Sequence, residues 1–294
     1  MLIWRNIMSI CVSQHEDVIR LYNKGYSLAR IGQMYNCAPN TVRRHILLAG
    51  GTCRTLSAAL KQYELNESVF DDITKSDAQY WVGFILADGC IHEELGVPVK
   101  LTIELQKQDE PHLHKFNKFI QTSKPVYQLK RTGGVRVEAR SKQIAAKLGD
   151  VGVTPRKSAT AKASVYLSQQ VDFWRGVVDG DGGMTISNNK PSLYLSGTPH
   201  IINQFREFVN NVLQIDTKST PYTTSPTFST ISYSGYVAVQ VSHALYHNSS
   251  ICLDRKYAMY IRLREWLKFR YQSVTPKHKY YNKIKNTAEY CGVL

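Results

Sequence analysis

The sequence predicts an α+β chain: a small all-helical module, then two copies of one α-β-β-α-β-β-α unit. Three observations carry this. The stretch FWRGVVDGDGGM at 173–184 aligns without gaps on YWVGFILADGCI at 80–91, 93 residues earlier, and an internal repeat dictates architecture. Between the copies, Val99, Leu101, Ile103 and Leu105 alternate with Lys100, Thr102, Glu104 and Gln106, the period of a strand with one apolar and one polar face. The first fifty residues instead carry apolar residues at helical spacing, interrupted by Gly25 and by Cys37-Ala38-Pro39-Asn40.

In that first stretch, Val18 and Leu21 mark the apolar face of one helix, ended by Gly25. Ser27 is placed to cap a second helix, which carries Leu28, Ile31 and Met34. A third spans 41–48, with Val42, Ile46 and Leu47 turned inward. This arrangement resembles the helix-turn-helix of resolvase-like DNA-binding domains. The resemblance makes the third helix the one that enters the major groove, with Asn40, Thr41, Arg43, Arg44 and His45 as its readers: arginine pairs with guanine and asparagine with adenine. The competing reading is a helical bundle with a solvated basic face. The domain division is 1–51 for this module, 52–74 for a linker, 75–165 and 166–268 for the two repeats, and 269–294 for a basic C-terminal extension.

Within the first repeat, residues 76–88 read as a helix, followed by the alternating strand and a helix over 109–121. Strands near 126–131 and 135–140 flank a Thr132-Gly133-Gly134 turn, and a helix closes the unit over 141–149. The second repeat gives helix 168–180, strands near 184–188 and 192–196, helix 198–213, strands near 217–223 and 229–234, and helix 235–246. Each unit thus offers a sheet with one face free for a partner, or for water alone.

Composition narrows the partner. The chain has 294 residues and a net charge of +14, with 43% hydrophobic residues, enough apolar content for a packed core. That excess of positive charge favours a polyanion, nucleic acid before anionic membrane. No apolar run reaches the roughly 18 residues of a membrane span, and the first residues turn polar too soon for a secretory signal. Six cysteines, at 11, 37, 53, 90, 252 and 291, form no C-x-x-C pair, which argues against a zinc site or disulfide scaffold. The expected setting is a reducing cytoplasm.

The repeated stretch carries the chemistry. Gly83 and Ala87 in one copy, and Gly176 and Gly180 in the other, stand four apart on one helical face. Small residues let two backbones approach, so the two helices are expected to pack together and bring Asp88 and Asp181 close. Carboxylates at the negative ends of helices are disfavoured unless positive charge sits beside them. A hard divalent cation would supply it.

WVGFILADG and WRGVVDGDG are similar to the two signature motifs of the LAGLIDADG homing endonucleases, over about residues 70–268. The resemblance implies a single-chain monomer with internal pseudo-twofold symmetry that binds double-stranded DNA across its two sheets. It implies double-strand cleavage at a long asymmetric site, with Mg²⁺, or Mn²⁺ in its place, by a mobile element of a bacterium or a phage-infected host. Carried over residue by residue, Asp88 and Asp181 become metal ligands and catalytic acids, with the carbonyls of Ala87 and Gly180 beside them. The first motif departs from the pattern at Leu86, where the family name has an acid. The second keeps Asp179 there, read as supporting. The strand residues Lys100, Thr102, Glu104, Gln106, Lys130, Arg136 and Arg140 become DNA contacts. Lys157 and Lys256, in the repeated TPRKSA and LDRKYA segments, are candidates for stabilising the transition state. Residues 254–289 hold ten Lys or Arg against three acids, suiting either a cover over the DNA backbone or an added helix and tail. A DNA-binding regulator or an RNA-splicing maturase on the same fold are the alternatives. Intact acids in both motifs argue against a binding-only relative.

Overall fold

The computed structural model describes residues 10, 14–53 and 63–293. The chain forms two compact units, Met1–Tyr63 and Glu64–Leu294.

The first unit contains α1 (His15–Asn23), α2 (Leu28–Met34) and α3 (Pro39–Leu48). Ser27 caps α2, its Oγ accepting from the Arg30 amide at 3.1 Å. Val18, Tyr22, Ile31, Val42 and Ile46 form the core. Two residues expected inside are outside: Met34 and Leu47 are each about half exposed. For Leu47 the cause is helical rotation, 100° per residue. Val42 and Ile46 share a face; Leu47 falls about 140° from Val42. The same rotation puts His45 on the buried face, so a residue expected to read DNA is packed away.

The second unit holds both repeats. The first comprises α4 (Ser76–Asp88), β1 (Gly89–Glu94), β2 (Val97–Leu105), α5 (Glu110–Phe119), β3 (Tyr127–Gln128), β4 (Val135–Arg140) and α6 (Lys142–Asp150). The second comprises α7 (Val171–Asp181), β5 (Gly182–Ser187), β6 (Lys190–Gly197), α8 (Pro199–Glu207) with a π turn at Phe208–Val212, β7 (Tyr222–Ser225), β8 (Phe228–Ser234) and α9 (Tyr236–Tyr246). Then come α10 (Asp254–Gln272) and α11 (Tyr281–Tyr290). Each repeat makes a four-stranded antiparallel sheet in the same order, β1-β2-β4-β3 and β5-β6-β8-β7. The chain is α+β with two pseudo-symmetric repeats, as its sequence predicts. In both sheets the apolar alternates, such as Leu101 and Ile103, or Leu193 and Leu195, are buried beneath the helices.

Several elements depart from expectation: β7, expected near 217–223, runs Tyr222–Ser225, and four further departures have a visible cause. β1 escapes the sequence pattern because GCIHEE contains one large apolar residue, Ile91, and pairing with β2 rather than alternation defines it. β3 is only two residues long, so Lys130 lies in the turn beyond it. The linker ends by Tyr63: the Glu64 amide donates to Ser123 Oγ, and Phe70 enters the core. Helix α10 runs unbroken through the boundary placed at 268, and past it Tyr271 is still partly buried against the core.

Candidate active site at the foot of the paired helices

Helices α4 and α7 touch main chain to main chain. A Cβ added at Gly83 would stand 2.1 Å from the Phe173 carbonyl oxygen, and one at Gly176 would stand 2.1 Å from that of Tyr80. Backbone atoms cannot yield, so glycine is required at both points. Towards the C-terminal ends the contact passes to Ala87 against Gly180, where an added Cβ would lie 2.3 Å from the Ala87 methyl and 3.4 Å from Asp88 Oδ2. The carboxylate of one helix therefore rests beside the last turn of the other.

Asp88 and Asp181 are the final residues of these helices, and neither last turn contains a basic residue. Both side chains reach solvent, although the surrounding protein strips away much of their water. That desolvation pushes both carboxyls above the usual range. Asp181 rises to about 6, with the Asp88 charge the second cause.

The positive charge beside them comes from two buried lysines. Lys157 Nζ donates to the carbonyls of Gly89 at 2.7 Å and Ala87 at 3.4 Å. Lys256 Nζ donates to Val178 at 2.7 Å and Gly182 at 2.5 Å. Each lysine thus closes the carbonyl end of a motif helix, where partial negative charge gathers. Burial pulls both ammonium groups below the usual range, Lys256 to about 8, while the nearby aspartates oppose the fall. Neither is a loose surface charge: Lys157 is 9% exposed and Lys256 3%.

Asp179 lies two residues before Asp181 and is wholly buried. Its carboxylate accepts from Tyr80 Oη, Tyr246 Oη and the Leu253 amide, each at 2.7 Å. His112 Nε2 stands 2.9 Å from the same Tyr80 hydroxyl. Asp179 ties α4, α9 and the segment before α10 to α7, a more extensive role than the sequence suggested. Tyr80, Tyr246 and His112 carry no sequence signal beyond being aromatic.

The repeated Arg-Lys pairs diverge. Arg156 bonds Glu93 at 2.7 Å, inside its own repeat. Arg255 instead crosses between repeats, Nε bonding both oxygens of Asp109 at 3.2 Å. Asp109 is 7% exposed and, with Arg255, Asp88, Gly180 and Gln106, lines an open cleft. No spacing in the sequence points to this cross-tie, since its partners lie 146 residues apart.

The expected DNA contacts scatter more widely. Lys100, Glu104, Arg136 and Arg140 lie on the open face of the first sheet. There Arg136 pairs with Glu104, and Arg140 with Glu94 at 2.6 Å. Thr102 shares that face but is covered, its hydroxyl 2.8 Å from His92 Nε2. Gln106 follows β2, and Lys130 is exposed in its turn. In the first unit, Asn40, Arg43 and Arg44 are exposed and Thr41 half-buried, whereas His45 Nδ1 contacts His15 Nε2 at 2.7 Å.

The donor set suits a hard cation. Two carboxylates and helix-end carbonyls are all oxygen ligands, as Mg²⁺ prefers. No group of three or more His, Cys, Asp or Glu side chains converges among the described residues. No helix among the described residues is long and apolar enough to cross a membrane.

No family model matches this sequence, and no curated protein matches it. Solved structures do resemble it. The meganuclease I-SmaMI bound to uncleaveable DNA is 13% identical, with a TM-score of 0.47 over 74% of this chain and 96% of that one. I-SmaMI bound to uncleaved DNA in the presence of calcium ions is also 13% identical, with a TM-score of 0.44 over 74% and 98%. The LAGLIDADG meganuclease I-AabMI bound to uncleaved DNA is 10% identical, with a TM-score of 0.45 over 73% of this chain and 97% of that one.

Proposed function

We propose that this chain is a site-specific DNA endonuclease of the LAGLIDADG homing type, hydrolysing one phosphodiester in each strand of a long asymmetric duplex. The observation that carries the reading is the meeting of Asp88 and Asp181 at matched helix ends, each beside a buried lysine. A structural helix pair has no need of two exposed acids there, since they oppose both each other and the helix dipoles. A polyanionic backbone and a divalent cation account for them together, as does the net charge of +14.

In this reading Asp88 and Asp181 hold the metal, with the Ala87 and Gly180 carbonyls completing the protein's share. A bound Mg²⁺ or Mn²⁺ supplies a polarised water and neutralises charge on the phosphodiester. Lys157 and Lys256 fix the helix ends that present the acids, and their charge favours a phosphate nearby. Asp179 holds α7 in register. The open sheet faces bind the duplex grooves, and the exposed face of α3 adds contacts through Asn40, Arg43 and Arg44.

The test is incubation of the full chain with a randomised duplex library, in Mg²⁺ and in chelator. Metal-dependent double-strand breaks at one long site are expected. Asp181→Asn should retain site binding and lose double-strand cleavage by about a thousandfold, the scale of losing a charge-stabilising group. Site binding without cleavage in either Mg²⁺ or Mn²⁺ would make the chain a regulator instead.

A further inference from the structure

The two sheets share topology but not surface chemistry. On the open face of the first, Glu94, Lys100, Glu104, Arg136, Glu138 and Arg140 are all charged. The open face of the second bears one charge among its described strands, Lys190, beside the Asn188-Asn189 hairpin. The rest is hydroxyl and aromatic. Ser196 Oγ and Thr230 Oγ1 bond each other at 2.8 Å, and Ser192 and Ser232 stand 3.4 Å apart.

Three aromatic side chains are exposed there: Tyr194 at 40%, Tyr222 at 72% and Phe228 at 46%. Register places them towards the Asp181 end of the sheet. Tyr194 pairs with Gly183, two residues after Asp181, and its ring lies across that glycine, where an added Cβ would meet it at 2.3 Å. Tyr222 pairs with Thr230, which pairs with Ser196; Phe228, the first residue of β8, lies two residues before Thr230 on the same face. Matching positions in the first sheet differ. Thr102 pairs with Cys90 where Tyr194 pairs with Gly183, and the row Ser196-Thr230-Tyr222 corresponds to Glu104-Arg136-Tyr127. Tyr127 is tied to the Glu138 carboxylate, whereas Tyr222 stands open.

We infer that the two halves of the DNA target are read by different chemistry, and that the base pairs nearest the cleavage centre under the second sheet are recognised through thymine methyl groups. This rests on the endonuclease reading above. Serine and threonine hydroxyls accept or donate to any base edge and so discriminate weakly, whereas apolar and aromatic groups select the thymine methyl. Guanine readout needs Arg or Lys, which this face lacks except at its outer hairpin. The first sheet holds the arginines that guanine requires, each already oriented by a carboxylate.

The experiment selects duplexes bound by the full chain in chelator, then replaces thymine by deoxyuracil in each half of the recovered site. The replacement removes only the 5-methyl group. Affinity should fall about fourfold per contacted methyl in the inner part of one half, the transfer value of one buried carbon, with a smaller loss in the other half. The Tyr194→Ser/Tyr222→Ser/Phe228→Ser triple variant should abolish that loss while its binding of the other half is unchanged. Equal sensitivity of both halves, an inner half-site without thymine, or a loss that persists in the triple variant would each overturn the inference and leave the endonuclease reading standing. Failure to retain any duplex would overturn both.

Discussion

The two repeats agree at their shared helices and diverge two residues before their acids. At position 86 the first repeat has leucine, packed in the core. At the matching position 179 the second has an aspartate, equally buried and bonded to two tyrosine hydroxyls and an amide. The same backbone site can thus be filled by apolar packing or by a satisfied charge. The polar solution commits Tyr80, Tyr246 and Leu253 to one geometry. The lesson is that pseudo-symmetry constrains where backbones touch, and leaves each side chain behind that contact free to differ.

The shared part of the comparison predicts the largest effect. Gly176→Leu forces side-chain atoms against the Tyr80 carbonyl and the Phe84 amide, neither of which can move without separating the helices. Destabilisation above about 3 kcal/mol, past the usual range for overpacking, is expected, read as loss of the cooperative thermal transition. Gly149→Ala, with nothing within 4 Å of its added methyl, should instead gain up to about 1 kcal/mol of helix propensity. A tolerated Gly176→Leu would mean that the close approach is not needed.

The divergent part predicts a smaller loss. Asp179→Leu copies the first repeat, yet strands the buried Tyr246 hydroxyl and the Leu253 amide in the second and leaves Tyr80 with His112 alone. A cost of about 3 kcal/mol is expected in denaturant unfolding, given 1–3 kcal/mol for each unsatisfied group and partial relaxation. If the variant is as stable as the parent, the two solutions are interchangeable and the network holds nothing.

The smallest effect concerns pH. Burial, and then the Lys115 charge, hold His112 down to about 3, against an ordinary value of 6.5. The unfolded chain then binds a proton between those limits that the folded chain does not. Stability from this group is complete above pH 6.5 and falls as pH drops towards 3. Between pH 6.5 and 5 the loss is about 2 kcal/mol at most. His112→Gln, which keeps a donor for Tyr80, should flatten that slope in thermal melts. An unchanged slope would assign the acid sensitivity to another group.

Much of this was legible from residue spacing. Paired glycines gave the helix interface, because the Cβ that either glycine lacks would stand 2.1 Å from a carbonyl oxygen of the other helix. The repeated aspartates followed as a pair from that contact. Alternation found β2 and β4 but not β1, whose single large apolar residue leaves no period to detect. Adjacent apolar residues misled in the other direction: Ile46 shares the buried face of Val42, while Leu47, about 140° from Val42, is outside.

The sequence by itself determined the twofold repeat, the small-residue faces and the acids at their ends, because each is a matter of spacing along one element. Only the tertiary structure decided what surrounds the acids. Lys157 and Lys256 could be suspected from the repeated pair, but not their burial against helix-end carbonyls. Arg255 and Arg156 read alike in sequence and act differently, since Arg255 has Asp109 within reach across the repeat boundary and Arg156 has Glu93 beside it. Hydrogen bonds depend on distance in space, and a chain pattern fixes that distance only within an element or between elements whose register it sets.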